Sequence, residues 1–208
     1  MEETFKVYPH LQSLDKLSSK YRTVFAASCC ERLIPNYVAF SIMDNWGPPD
    51  VLENALEFVW VSLQVPRLDA QHVRALIQAC QKIIPDTEDF TSLFSGAALN
   101  AAAAVCYTLM CLEDGKLEHA VYAGRLAIET IESYLHTVNK PSLAVSFHDP
   151  TFSEWLDQAP LFISEMDLQR KTIQSLQSYP ALDKAFLDAI RRSSSVTGIQ
   201  PFLRGLVK

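Results

Sequence analysis

Phe94-Ser95-Gly96-Ala97-Ala98-Leu99-Asn100-Ala101-Ala102-Ala103-Ala104-Val105-Cys106-Tyr107-Thr108-Leu109-Met110-Cys111-Leu112 carries no charged side chain and is dominated by alanine, the strongest intrinsic helix former. The run is about as long as a bilayer span. Alanine contributes little transfer energy to lipid but lets neighbouring helices approach closely, so the composition predicts a buried central helix rather than a membrane span. Asp114-Gly115 then supplies a turn, and Leu117, Val121, Gly124, Ile128, Ile131 and Leu135 recur at helical spacing. The two segments are expected to form a tight hairpin, its closeness coming from alanines on one side and Ala120, Gly124 and Ala127 on the other.

The same period extends in both directions. Ser18 or Ser19 can cap a helix through Val24, Phe25, Ala27 and Cys30, with Pro35 either kinking it or opening a second helix through Tyr37, Val38 and Ile42. Trp46-Gly47-Pro48-Pro49 ends that element, Pro49 suits the next first turn, and Leu52, Leu56, Val59, Trp60 and Leu63 share one face. Asp69 is placed to cap a helix with Val73, Leu76, Ile77, Cys80 and Ile84 on its stripe. Downstream, 139–149 reads as the longest connection, Trp155 to Leu176 as one long helix bent at Pro160, and Leu182, Phe186 and Ile190 as the last strong stripe. The prediction is an all-α, single-domain array of about seven or eight helices over 1–208, with 1–17 as an N-terminal arm and 193–208 as a weakly structured or extended tail.

Composition narrows the function classes. The 208 residues are 49% hydrophobic and 20% charged, close to ordinary globular usage. Five cysteines (Cys29, Cys30, Cys80, Cys106, Cys111) form an odd set without a Cys-x-x-Cys pair, and the N-terminus has no basic stretch leading into an apolar run. Both features point to reduced, buried thiols in a cytoplasmic protein. A net charge of −6 disfavours nucleic-acid binding, which rests on neutralising phosphates. The charge is uneven, with 17 acidic against 6 basic residues from Asp44 to Glu165, and five bases with one acid from Lys184 to Lys208. The basic end reads first as a solvated last helix, and otherwise as a surface that contacts the acidic body, a partner or a nucleic acid.

Catalytic spacings are missing. The chain has no Glu-x-x-His, no Gly-x-Ser-x-Gly and no Gly-x-Gly-x-x-Gly, so no catalytic residue, metal site or cofactor is assigned. The nearest same-face pairs, Asp69-x-x-His72 and Glu132-x-x-x-His136, read as a helix-start acid and a solvated polar face. The densest polar cluster amid apolar residues is Cys29-Cys30-Glu31-Arg32-x-x-Pro35-Asn36-Tyr37, with Arg32 and Asn36 one helical turn apart. Buried, such groups need partners, so the cluster is either a structural hydrogen-bond network or a binding site formed by Glu31, Arg32, Asn36 and Tyr37 and completed by His119.

The run Phe25 to Tyr37, with Cys30-Glu31-Arg32-x-x-Pro35-Asn36-Tyr37 at its end, resembles the signature of the YjaG-like bacterial proteins, a domain of unknown function. Leu56-x-x-Val59-Trp60, Ile84-Pro85-Asp86-Thr87-Glu88-Asp89-Phe90 and Leu117-Glu118-His119-Ala120 support it, over roughly Lys20 to Ile190. The chain departs from the family at its end, where Ser195-Val196-Thr197-Gly198-Ile199 stands in place of a Ser-Asn-Ile-Gly-like run. The resemblance implies an all-helical fold and bacterial cytoplasmic residence, without an activity, substrate or cofactor. The expected role is a non-catalytic module that contacts a protein partner or a second copy of itself as a homodimer. The rival is an enzyme or small-ligand-binding protein built on the Glu31, Arg32, Asn36 and Tyr37 cluster.

Overall fold

The computed structural model describes residues 1–92, 94–143 and 150–196. Among them are eight α-helices of seven residues or more and no strand. In chain order the helices are α1 (Glu2–Val7), α2 (Ser19–Asp44), α3 (Asp50–Ser62), α4 (Ala70–Gln81), α5 (Ser95–Asp114), α6 (Leu117–Leu143), α7 (Pro150–Leu156), α8 (Pro160–Ser178) and α9 (Lys184–Val196). Pro9–Lys16 and Thr87–Asp89 form 3-10 turns.

Two helices make the centre. The alanine-rich α5 lies along α2 over the most extensive interface in the molecule, and α6 packs against both. Val24 to Cys30 of α2 are buried at every position, so over this stretch the helix is covered around its whole circumference. Helix α5 is long and apolar enough to cross a membrane, and most of that window is buried inside the molecule. α4 and α3 cover α5, α9 covers α2, and α8 leans on α6 and α2.

Local chemistry sets most boundaries. Asp69 accepts a hydrogen bond from the His72 amide at 3.0 Å and so caps α4. Asp69→Ala should therefore cost about 1 kcal/mol in a urea titration, and an unchanged midpoint would show the cap idle. Gly115 ends α5 in the left-handed region at φ 70°, its amide bonded to the Cys111 carbonyl, with Ser19 packed where a side chain would stand. Pro35 sits inside α2, which continues through it as one helix; its ring nitrogen lacks the proton that would bond the Glu31 carbonyl.

Several expectations are corrected. Gly124 does not serve the α5–α6 contact alone: a Cβ there would stand 2.9 Å from Leu11 Cδ2 and 3.0 Å from Phe25 Cε1. Its vacancy receives the 3-10 turn and α2, because α6 packs against α2 as well as α5. The expected long helix from Trp155 is two, since Ala159 is extended (ψ 121°) and Pro160 starts α8 at its first turn. The central helix begins at Ser95, following a Ser92 turn that bonds Phe94 and Ser95. Residues 1–17 are folded in, with Leu11 and Leu14 wholly buried. α6 runs to Leu143, so 139–143 of the expected connection are helical, and 144–149 lie outside the described residues. Of the expected tail, 193–196 belongs to α9 and 197–208 lies outside the described residues.

Candidate functional site

The polar cluster of α2 does not converge on one place, because successive residues on a helix point about 100° apart. Arg32, 1% exposed, turns inward to Glu165 on α8. Its Nε donates to Glu165 Oε2 at 2.8 Å and its Nη2 to Oε1 at 2.6 Å, a bidentate pair. The remaining nitrogen donates to the Ser28 carbonyl at 2.7 Å, and Nη2 also reaches Cys29 Sγ at 3.4 Å. Burial opposes the guanidinium charge, but the adjacent Glu165 carboxylate outweighs it and raises the pKa above its ordinary value.

The network continues past the ion pair. Gln169, one turn along α8, donates to Glu165 Oε1 at 2.8 Å and to the Gly124 carbonyl of α6 at 3.0 Å. His10 Nε2 lies 3.0 Å from Gln169 Oε1. Arg32 thus ties α2 to α8, and α8 to α6 and the first 3-10 turn. Each charged oxygen and nitrogen has a partner, as a buried ion pair requires.

Glu31 faces elsewhere. Its Oε1 accepts from Trp60 Nε1 at 2.8 Å and from Arg191 Nε at 2.7 Å, and its Oε2 from Ser195 at 3.1 Å, joining α2 to α3 and α9. Arg191 also pairs with Glu57 at 2.6 Å and lies 5.8 Å over the Trp60 ring. Tyr37 donates to the Ile83 carbonyl at 2.8 Å. Its hydroxyl occupies the space a Cβ on Gly47 would need, and Gly47 itself holds φ 50°. Burial raises the Tyr37 phenol to about 12. Asn36 is wholly buried, and neither amide atom has a partner among the described residues. His119 stands in the first turn of α6, 3.3 Å from Asp114 at the end of α5 and stacked on Tyr107.

The arrangement therefore clamps helices. A nucleophile–base pair is not among these contacts: burial lifts the Cys29 and Cys111 thiols to about 11, and that of Cys30 further. Among the described residues no three His, Cys, Asp or Glu side chains are grouped to hold a metal.

Sequence reading missed Glu165, Gln169 and His10. A signal existed, for Glu165 and Gln169 stand on the stripe of Phe162, Met166, Ile173 and Leu176, where a polar residue needs a buried partner. Also missed was the pair Tyr8 and Glu132, whose hydroxyl and Oε1 lie 2.6 Å apart. Burial raises the Glu132 carboxyl above its ordinary 4.5, the Tyr8 hydroxyl opposing and Glu129 reinforcing the shift. The folded state thus holds this proton more tightly than the unfolded chain, so the group's contribution is greatest below pH 4.5 and is lost as pH rises through the elevated value. Glu132→Gln, which keeps an acceptor for Tyr8, should flatten that part of the pH–stability curve and be no less stable at neutral pH. Denaturation at a series of pH values reads this directly, and an unaltered slope would contradict it.

An uncharacterised Haemophilus influenzae protein is 25% identical over 196 residues, covering 92% of this chain and 94% of that protein. Escherichia coli K12 YjaG, also uncharacterised, is 29% identical over 124 residues; the match takes in 59% of this chain and 62% of the relative's length, less than two thirds. The crystal structure of a DUF416 family protein from Shewanella baltica superposes with a TM-score of 0.81 at 24% identity, over 91% of this chain and 94% of that one, and so shares the fold. Residues 9–200 match the family described as protein of unknown function DUF416, and with nearly the whole described array inside that match, the chain belongs to the DUF416 family.

Proposed function

We propose that this protein is a non-catalytic helical contact module of the bacterial cytoplasm that pairs with a second copy of itself. The carrying observation is at the end of α2, where Ile42 is 76% exposed and Met43 50%, followed just past the helix by Trp46 at 36%, although Thr23 to Cys30 of the same helix are buried at every position. Apolar side chains grouped in this way mark contact surfaces. A two-fold contact needs only one such patch, because the same surface serves both copies. The polar cluster supports the reading from the other side: Arg32, Glu31 and Tyr37 are engaged in holding helices together. All five cysteines are free and buried, which suits a reducing compartment.

Light scattering tests the pairing. The wild-type chain should have twice the 23.3 kDa mass of one copy, and Ile42→Glu with Met43→Glu should return it to a single copy. Both side chains are exposed, so the thermal midpoint of the separated copy should stay near that of the parent at matched dilution. A monomeric wild type, or a charged variant that keeps the doubled mass, would remove this reading.

A further inference from the structure

Away from the Arg32 network, the segments around Tyr8, α6, α7 and α8 enclose a cleft of about 420 Å³, within the usual size range of small-molecule sites. Phe162 and Met166 of α8, both buried, give it an apolar wall. Glu132 forms its polar end. The Glu132 carboxylate is half-buried and takes a hydrogen bond from Tyr8, yet has no cation partner among the described residues. Arg125 on the same helix approaches Glu129 instead, at 2.9 Å.

The other charges of the cleft leave that deficit in place. Arg170 at its edge is held by Asp167 at 3.1 Å, and Asp157 adds a second, exposed carboxylate. A partly desolvated carboxylate without a counter-charge is relieved by a bound cation, whereas the adjoining wall has only apolar surface to offer. Both requirements meet in one kind of molecule.

We infer that the cleft between Tyr8, Glu132, Phe162 and Met166 binds a small amphipathic ammonium ion, its nitrogen on the Glu132 carboxylate and its hydrocarbon body against α8. The Tyr8 hydroxyl fixes one carboxylate oxygen and leaves the other for the ligand. Tyr8 is a positioning residue here. Binding requires Glu132 ionised, so affinity falls as pH drops through its elevated titration.

The test compares hexylammonium and phenethylammonium with the corresponding neutral alcohols by titration calorimetry and thermal shift on the full chain. The ammonium ions should raise the thermal midpoint and bind roughly ten- to a hundredfold more tightly than the alcohols, the difference a charge-assisted hydrogen bond makes. Glu132→Gln should erase the preference while keeping the helical circular dichroism. The wild-type comparison needs no variant, so it decides the matter even where Glu132→Gln does not fold. Equal affinity for ammonium and alcohol, an undiminished preference in Glu132→Gln, or no binding of either ammonium ion would overturn the inference. Light scattering on the same samples keeps this result separate from self-pairing, which lies at the far end of α2 and does not require the cleft.

Discussion

Arg32→Met should lower folding stability by about 3–5 kcal/mol, the usual consequence of leaving one member of a buried ion pair alone. The stranded partner is Glu165, 2% exposed, whose two oxygens face Arg32 at 2.6 and 2.8 Å. For a chain of this size that loss lowers the melting temperature by about 6–20 °C. One further measurement identifies the cause. Arg32→Met with Glu165→Leu should recover most of the loss, since replacing both charges by apolar groups of similar volume is close to neutral. A single-variant loss below 1 kcal/mol would show that the pair does not hold α2 and α8 together.

Phe25→Ala should cost about 3–5 kcal/mol, by lost burial and the cavity left behind. Phe25 is wholly buried, and its ring edge fills the notch at Gly124 with contacts of 3.0 and 3.1 Å to the position of a missing Cβ. Gly124→Ala alone sets overpacking of about 1–3 kcal/mol against a helix-propensity gain of about 1 kcal/mol. Combined with Phe25→Ala, the added methyl enters vacated space, so the double variant should be more stable than the sum of the single effects predicts, by about 0.5–3 kcal/mol. Denaturant titration of the four proteins measures the coupling. Strict additivity would mean that the ring and the glycine do not share that space.

The legible features are those a few residues of chain determine. Asp69 three residues before His72, Gly115 after Asp114, and the apolar stripes of α3, α4 and α6 each declare themselves within one or two turns. Pro160 was locally readable too, but a bend and a break share the same sequence signal, and the extended Ala159 decides between them. The partners of the α2 cluster are another matter. Arg32 and Glu165 are 133 positions apart, and Tyr8 and Glu132 are 124 apart, distances at which spacing carries no information. Adjacency in the motif also misled, since Glu31 and Arg32 face different helices and His119 keeps to its own turn. Among the described residues, Asn36 alone of the cluster is left without a partner.

The long reach of the arginine clamp orders events during synthesis. Arg32 leaves the ribosome 133 residues ahead of Glu165, an interval on the order of ten seconds at ordinary translation speed. Until α8 follows, the most deeply placed cation of the nascent chain has no carboxylate to meet, and sealing it among α2, α5 and α6 would strand a bare charge. The amino-terminal two thirds is therefore expected to stay loosely assembled, with apolar surface still open, until a late helix neutralises its interior.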